Sequence, residues 1–570
     1  MTQRAAAATN LRLLGAALLG VGVRAWLASY GAANADGDEA VLVLIGQHAA
    51  QGRELAAYFW GQRYLGTLEQ LTSAPLLALF PYDVFAARGG PLLWLGLALL
   101  THGALVRRWW GDRAAVLSVL LLSLASWRVL DVTTRGVAVF GSLATFGTGA
   151  VYVALAAPAG RWSRRRALAI GALLGLALWC HTMAIVYASA ALAPAALRRA
   201  RARMLRIAGA PTLLLAALAV FADGCAPRGV FAWVHVAGLA ALGAITLALL
   251  VPLGRQAVLV GAGAIAGLLP VWLDWLAGNG PPSANAVPAC TTDVPARASL
   301  TFGLMLPYLW GVPSAPELPS LTAAQWLLAG PALAVVVAAL CLFGWRRRHV
   351  LGRLWTLRPL DACERPAAAL GILFGAPIGL ILLAGNAVDH LALRYLLVTW
   401  QAASVLFALF LVWLARRSRV AAAALLALLV WQAGIGGLHH DAMDMRGRDA
   451  APFYRDAAVL ADELAARGVA AGYADYYLAY QLDVLAHERV SLAPYNGVSR
   501  YAPYEERARA AKSRAVVVPA AWDTGHLART LAEGTLTGPT RQEVLDLVRR
   551  GDVEDRLRVG DWDVWLVRDR

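Results

Sequence analysis

Apolar runs long enough to cross a bilayer recur through this chain, separated by short arginine-bearing loops, and no other feature of the sequence constrains its fold so tightly. A helix rises about 1.5 Å per residue, so roughly 20 apolar residues span the hydrocarbon core. Runs of this kind lie near 11–30, 88–107, 113–127, 136–157, 166–180, 182–197, 207–222, 229–252, 256–276, 321–344, 367–385, 392–415 and 419–437. The expected fold class is therefore an α-helical polytopic membrane protein of about thirteen transmembrane helices. The third, fifth and sixth runs are short, and Cys180-His181 reads either as a turn or as a kink within one helix. The first run has a basic start and no convincing cleavage site after it, which makes it a retained helix and not a signal peptide.

The charges agree with this reading. Only 15% of the 570 residues are charged, against about 25% in soluble proteins. The net charge of +15 would ordinarily raise nucleic acid as a partner. Here the arginines sit mainly in short loops between apolar runs, the positive-inside pattern, so a nucleic-acid partner is not expected. Arg107-Arg108, Arg164 to Arg166, Arg198 to Arg206, Arg346 to Arg348 and Arg416-Arg417 all fall on one side, which the rule makes cytoplasmic. The acidic first loop, the loop 277–320 and everything after the last run fall on the other, with Trp272 and Trp275 marking an interface belt. The near-exclusive use of Arg, with Lys512 the one lysine, and the abundance of Ala point to a GC-rich bacterial genome and so to a bacterial inner membrane. The N-terminus is expected in the cytoplasm.

After residue 438 the chain is charged and carries no further span. Helical periodicity over Tyr454 to Arg467 gives way to GVAAGYAD, YYLAYQLDVLA, RVSLAP, RAVVVPAA and DWDVWLVRD, strand-like runs alternating with helical ones. The expected organisation is a transmembrane region over 1–438, with the first external loop at 31–87, and a small extracytoplasmic α/β domain over 439–570 with a largely parallel sheet. Five cysteines show no metal-ligand or redox spacing. Cys225 and Cys290, the two in outer loops, are candidates for a disulfide.

Asp36, Asp38 and Glu39 gather in the first external loop, at the head of the amphipathic run Ala40 to Ala50, which is expected to lie as a helix along the outer surface. Helix capping accounts for Asp36 at the N-cap and for Glu39 three residues on. It leaves Asp38 without a structural task, and a carboxylate in the first turn of a rigid helix is well placed as a general base. Both readings stand on the residues alone. Asp36-Gly37-Asp38 also has the DxD form of divalent-metal sites, so a metal bound by Asp36 and Asp38 is a further option, although hard cations need more oxygen ligands than these. No other cofactor is indicated.

An Asp-Glu pair directly after the first span, followed by GQRYLGTLEQLTSAPLLALFP and by Arg88 at the head of the second, resembles the GT-C superfamily of polyprenyl-phosphate-sugar-dependent glycosyltransferases. That group includes protein O-mannosyltransferases and the lipid A aminoarabinose transferase. The resemblance implies about thirteen spans, an outer C-terminal domain, and an inverting transfer from a polyprenyl-phosphate-linked sugar to a glycan, lipid or protein acceptor outside the cell. It aligns Asp38 with the catalytic aspartate and Glu39 with its partner. A phosphate is a good leaving group, so one base and cations to hold the phosphate suffice, where a glycosidase needs an acid as well.

The candidate cations are Arg394, beside Tyr395 in an RYL setting, together with Arg88 and Arg135. For Arg394 the competing reading is an interface arginine snorkelling to water. For the cluster Arg128, Asp131 and Arg135 it is an ion pair within the loop. Tyr473, Asp475 and Tyr476 lie in a Tyr-rich stretch that reads either as an acceptor surface or as core packing, with Asp475 also placed to cap a helix. A transporter or flippase for lipid-linked saccharides is the rival function, and it would carry ionisable groups at mid-membrane instead of at span ends. A non-catalytic membrane scaffold is the third.

Overall fold

The computed structural model describes residues 3–29, 35–157, 162–197, 254–279, 294–310, 323–356, 358–383, 390–431, 452–496, 499–520, 544, 546 and 553–568. Helix α1 (Gln3–Ser29) is followed by α2 (Gly37–Ala50), the short hairpin of β1 (Tyr58–Phe59) and β2 (Gln62–Gly66), α3 (Leu68–Leu79) and α4 (Val84–Ala87). Then come α5 (Gly89–Trp110), α6 (Asp112–Ser123), α7 (Trp127–Thr134), α8 (Phe140–Leu155), α9 (Arg164–Cys180) and α10 (Ala184–Ala196). Beyond lie α11 (Arg255–Gly267), α12 (Leu269–Asp274), α13 (Ala323–Trp355), α14 (Arg365–Leu383), α15 (Leu397–Ala415) and α16 (Arg419–Val430). The expected spans near 207–222 and 229–252, together with Cys225 and Cys290, lie outside the described residues.

Among the described residues, four helical stretches are long and apolar enough to cross a membrane: Ala7–Ser29, Val84–Trp110, Arg365–Leu382 and Leu393–Ala415. Two bent pairs raise the number to six. The third expected span is one of these pairs, since α6 turns by 82° into α7, and Arg128, Asp131 and Arg135 therefore stand on or at the end of a helix and not in a loop. Arg24, fully buried in α1, accounts for the break. Its guanidinium donates to the carbonyls of Leu122 (3.2 Å) and Ser123 (3.1 Å) at the end of α6 and to Thr133 Oγ1 (2.8 Å) in α7. Carbonyls freed by breaking a helix in hydrocarbon need such donors.

Close packing holds the other helices. Gly171 and Gly175 of α9 face Gly263 and Gly267 of α11, and a Cβ at any of the four would meet opposing backbone at 2.0–2.3 Å. Two small-xxx-small faces let the backbones touch, the usual device where lipid supplies no hydrophobic drive between helices. Deeper in the bundle, His102, Ser118, Thr148, Tyr187, Gln401 and Ser404 join α5, α6, α8, α10 and α15. His102 bonds Ser118 Oγ at 2.7 Å through Nε2 and accepts from Gln401 at 3.2 Å through Nδ1, while Gln401 also donates to Thr148 (2.8 Å) and accepts from Tyr187 (2.5 Å). A buried network whose members satisfy one another is a rigid joint. Where α3 packs on α8, the buried Glu69 takes bonds from Ser142 N (2.8 Å) and Oγ (2.9 Å), and burial pushes its carboxyl up to about 7.

The C-terminal part contains α17 (Pro452–Ala466), β3 (Ala471–Ala474), α18 (Tyr476–Leu485), β4 (Ser491–Pro494), α19 (Ala502–Ala510), β5 (Ser513–Pro519), β6 (Val553–Val559) and β7 (Trp562–Arg568). Its sheet has the order β4-β3-β5-β7-β6. The first three strands are parallel, but β5, β7 and β6 pair antiparallel, so the sheet is mixed where a largely parallel one was expected. The reason is local: β6 and β7 are joined by a tight turn with Gly560 at φ +54, which permits only antiparallel pairing.

Helix α2 also departs from expectation. It is buried on every side from Gly37 to His48, apart from the partly exposed Asp38, instead of lying amphipathically on a surface. The run AVLVLIG has no polar face, so the helix is sandwiched between α3 and α18. Gly37 permits this approach, because a Cβ there would stand 3.0 Å from the Tyr476 carbonyl oxygen and the Tyr477 Cα.

Candidate active site

The three acids at the head of α2 have three different surroundings. Asp36 is the N-cap: its backbone is extended and its Oδ1 accepts from Glu39 N at 3.0 Å. Its other oxygen pairs with Arg135. Glu39 is buried and is gripped from two sides. Arg88 donates to both its oxygens, at 2.7 and 3.0 Å, and Arg135 Nε reaches Oε2 at 2.9 Å. Arg88 also donates to the Ala28 carbonyl at 2.8 Å, which ties the head of α5 to the end of α1 as well as to Glu39 of α2. The structure therefore places Arg88 and Arg135 against Glu39, and Asp36 against Arg135, in a layer behind the helix start. Arg128 pairs with Asp131 at 3.1 Å.

Asp38 faces the other way. Its side chain is 38% exposed and lines a crevice with Leu42, Phe59, Gln62, Tyr64, Val137, His181, Arg394 and Tyr395. Tyr476 from α18 donates its hydroxyl to Asp38 Oδ1, and Arg500 approaches the same oxygen at 3.8 Å. Burial, with the Asp38 charge beside it, pushes the Tyr476 phenol well up, so it stays protonated and remains a donor. Arg500 also donates to Tyr476 Oη at 3.0 Å, lies over the rings of Phe59 and Tyr476 at 5.4 Å, and meets the Gln62 amide oxygen at 2.6 and 2.8 Å when that amide is turned to satisfy its neighbours. One carboxylate oxygen thus holds the Tyr476 hydrogen bond and the Arg500 ion pair, and among the described contacts Oδ2 holds neither.

Across the crevice, Arg394 projects from a 3₁₀ turn (His390–Leu396) at the head of α15. Its guanidinium lies 5.3 Å over the Tyr395 ring, and among the described residues it has no carboxylate within ion-pair distance. His181 stands beside it. The chain leaves α9 at Cys180, and His181 bridges to Leu65 of β2, so this dipeptide is a turn between two helices. His181 Nδ1 accepts from Met183 N at 2.9 Å, which assigns the neutral ring's proton to Nε2. The rings of Tyr64 and Tyr395 flank the imidazole edge-on, at 6.1 and 5.9 Å.

The structure thus brings together Asp38, Arg394, Tyr395 and Tyr476. It does not bring Tyr473 or Asp475 to the crevice: Tyr473 is fully buried in the sheet core, and Asp475 caps α18 by accepting from Tyr477 N at 3.0 Å and holds Asn496. The DxD pair diverges, since Asp36 is turned to Arg135 while Asp38 looks into the crevice, and among the described residues no three metal-ligating side chains converge. Sequence reasoning did not single out Gln62, Tyr64, His181 or Arg500. A signal existed for the first two, because alternation along the strand QRYLG puts Gln62 and Tyr64 on one face.

No family model matches this chain, and no curated protein matches it. Among solved structures, it is similar to the oligosaccharyltransferase of Archaeoglobus fulgidus in the apo form, at 13% identity over 94% of this chain and 72% of that one, with a TM-score of 0.45. It is also similar to ArnT from Cupriavidus metallidurans, at 15% identity over 96% of this chain and 97% of that one when bound to undecaprenyl phosphate (TM-score 0.43), and over 99% and 98% in the apo state (TM-score 0.44). What this chain does has to be read from its own residues.

Proposed function

We propose that this chain is an integral-membrane inverting glycosyltransferase that moves a sugar from a polyprenyl phosphate to an extracytoplasmic or lipid-linked acceptor. The observation that supports it is that Asp38, with one oxygen held by Tyr476, and Arg394, with no carboxylate in ion-pair distance among the described residues, line one crevice at the end of the helix bundle. Asp38 Oδ2 takes the proton of the acceptor as the acceptor atom attacks the anomeric carbon. The bond from that carbon to the phosphate oxygen breaks on the opposite face, the electron pair leaves with the phosphate, and Arg394 holds the charge that develops there. Tyr476 and Arg500 orient Asp38 and are positioning residues. Glu39, Arg88 and Arg135 fix the start of α2 so that Asp38 keeps its aim.

A transporter is less well supported. The mid-bundle polar groups around His102 satisfy one another.

Asp38→Asn keeps the shape and the Tyr476 contact while removing the base. It is expected to fold normally and to lose turnover by roughly 10²–10⁴-fold. Asp36→Asn retains the cap, leaves Glu39 to hold Arg135, and should cost far less. The assay is transfer from a polyprenyl-phosphate sugar in membranes holding matched amounts of each variant. Wild-type transfer by Asp38→Asn, or abolition by Asp36→Asn alone, would reassign the base.

A further inference from the structure

About 27 Å along α1 from Ala28 and the Asp38 site, at 1.5 Å per residue, lies Asn10, on the rim of a bowl of about 930 Å³ at the opposite face of the bundle. Four arginines line it: Arg107, Arg108, Arg113 and Arg416. Its one carboxylate, Asp112, is already occupied on both oxygens, by Arg107 Nε at 2.8 Å and Thr9 Oγ1 at 2.9 Å. Arg107 turns its remaining reach to Asn10 at 2.5 Å. Among the described residues, Arg108, Arg113 and Arg416 have no carboxylate within ion-pair distance. Arg108 lies instead over the rings of Trp109 and Tyr152, at 5.6 and 5.8 Å. Gly111, at φ +87, makes the sharp turn from α5 to α6 that brings Arg108 and Arg113 to one mouth.

The bowl does not end in solvent on its membrane side. Asp112, Arg113 and Val412 also line an adjoining slot of about 320 Å³, whose other walls are mainly apolar and include Val116, Leu117, Leu411 and Leu426, from α6, α15 and α16. A cationic mouth opening into an apolar slot between helices matches an amphiphile with an anionic head. A free anion would have no use for the slot, and a neutral lipid would leave three guanidiniums uncompensated. We infer that this bowl and slot bind an anionic glycerophospholipid, its phosphate among Arg108, Arg113 and Arg416 and an acyl chain between α6, α15 and α16. The bound lipid bridges the start of α1, the α5–α6 turn and the α15–α16 turn. Its head lies at the face that the arginine pattern makes cytoplasmic.

The test uses the full chain in detergent, titrated with dioleoylphosphatidylglycerol, dioleoylphosphatidylcholine or inorganic phosphate, with bound species counted by native mass spectrometry. Phosphatidylglycerol is expected to be retained well above phosphatidylcholine. Arg113→Gln with Arg416→Gln, both exposed, should weaken its retention roughly tenfold or more. Ala423→Trp, which fills the slot, should weaken phosphatidylglycerol without changing inorganic phosphate binding. Arg108→Gln alone is the second charge variant should the double variant fail to fold. Equal retention of the two lipids, or charge variants that bind like the wild type, would overturn the lipid site. Retention of phosphatidylglycerol unchanged by Ala423→Trp would leave a bare anion bowl, which also overturns it.

Discussion

At the scale of single residues, the surroundings of the arginines separate their roles better than their positions in the sequence do. Arg88 and Arg135 spend their donors on Glu39 and Asp36, whereas Arg394 faces the crevice over the Tyr395 ring with no carboxylate in ion-pair distance among the described residues. Arg394→Ala is therefore expected to weaken donor binding and to lower turnover together, because a fixed guanidinium contacts phosphate in both ground and transition states. Lysine should restore only part, since the planar fork is lost. Binding of polyprenyl phosphate and transfer rates on purified variants check this, and an alanine variant with unchanged affinity and turnover would reduce Arg394 to a snorkelling interface residue. The acids were legible beforehand because capping rules are local: Asp36 at the cap follows from four consecutive letters. What was not legible is that Glu39 reaches Arg88, 49 positions away, and that Arg500 reaches Asp38 across more than 450. Such pairings are decided by how helices pack, and no spacing rule records them.

At the scale of elements, the junction between α2 and α18 decides whether Asp38 keeps Tyr476 and Arg500. Glu488, just past α18, is the hub of that junction. Its Oε1 meets His48 Nε2 at 2.9 Å and Tyr504 at 2.8 Å, and its Oε2 meets Arg53 at 2.7 Å and Tyr82 at 2.8 Å. His487 and Glu488 hold φ at +52 and +55, costly for residues with side chains, and the His487 ring stacks on Tyr82 at 4.8 Å. Burial opposes the Glu488 charge, but the bonds from His48, Tyr82 and Tyr504 and the His48 charge outweigh it and hold the carboxyl at about 2. Burial likewise opposes the charge on His48, and the bond to Glu488 with the Glu54 carboxylate at 3.9 Å overrides it and raises its pKa. The Glu488 contribution to docking is thus present above its ordinary value and is lost as pH falls toward 2. The His48 contribution is full below its ordinary value and is lost as pH rises through the raised one. Glu488→Ala leaves His48, Arg53 and two tyrosines without their acceptor, and should loosen residues 476–510 against α2 and reduce transfer. Hydrogen exchange over that segment, read beside activity, checks it: transfer lost with unchanged protection would mean that Glu488 acts otherwise than by docking. The strand-like runs of the C-terminal part were readable in the sequence: β3, β4 and β7 lie within them, and β5 begins one residue before its run. The fate of α2 was not, because an all-apolar helix says that it is buried without saying by what.

At the scale of the whole molecule, the two ends of the bundle differ in what they carry. The end holding Ala28, the head of α5 and Asp38 gathers the acids, and the end holding Asn10, Arg107, Arg108 and Arg416 gathers arginines from loops that lie far apart in sequence. Arg107 and Arg416 lining one bowl is what a one-sided distribution of basic loops requires, and the Tyr476–Asp38 contact puts the C-terminal part at the acidic end. Cations are retained where anionic lipid and the membrane potential hold them, so the arginine end should be cytoplasmic, and the Asp38 end and the C-terminal part should lie outside. Reporters fused after Arg201, in a basic loop, and after Arg446, past the last apolar run, are then expected to report opposite compartments: a cytoplasmic reporter active at Arg201 and silent at Arg446, and an export-dependent one the reverse. Equal signals would show that an even number of crossings separates the two positions. Asp38 would then have to be placed on its side of the membrane by direct labelling of Asp38→Cys with an impermeant thiol reagent in a chain freed of Cys180, Cys225, Cys290, Cys341 and Cys363.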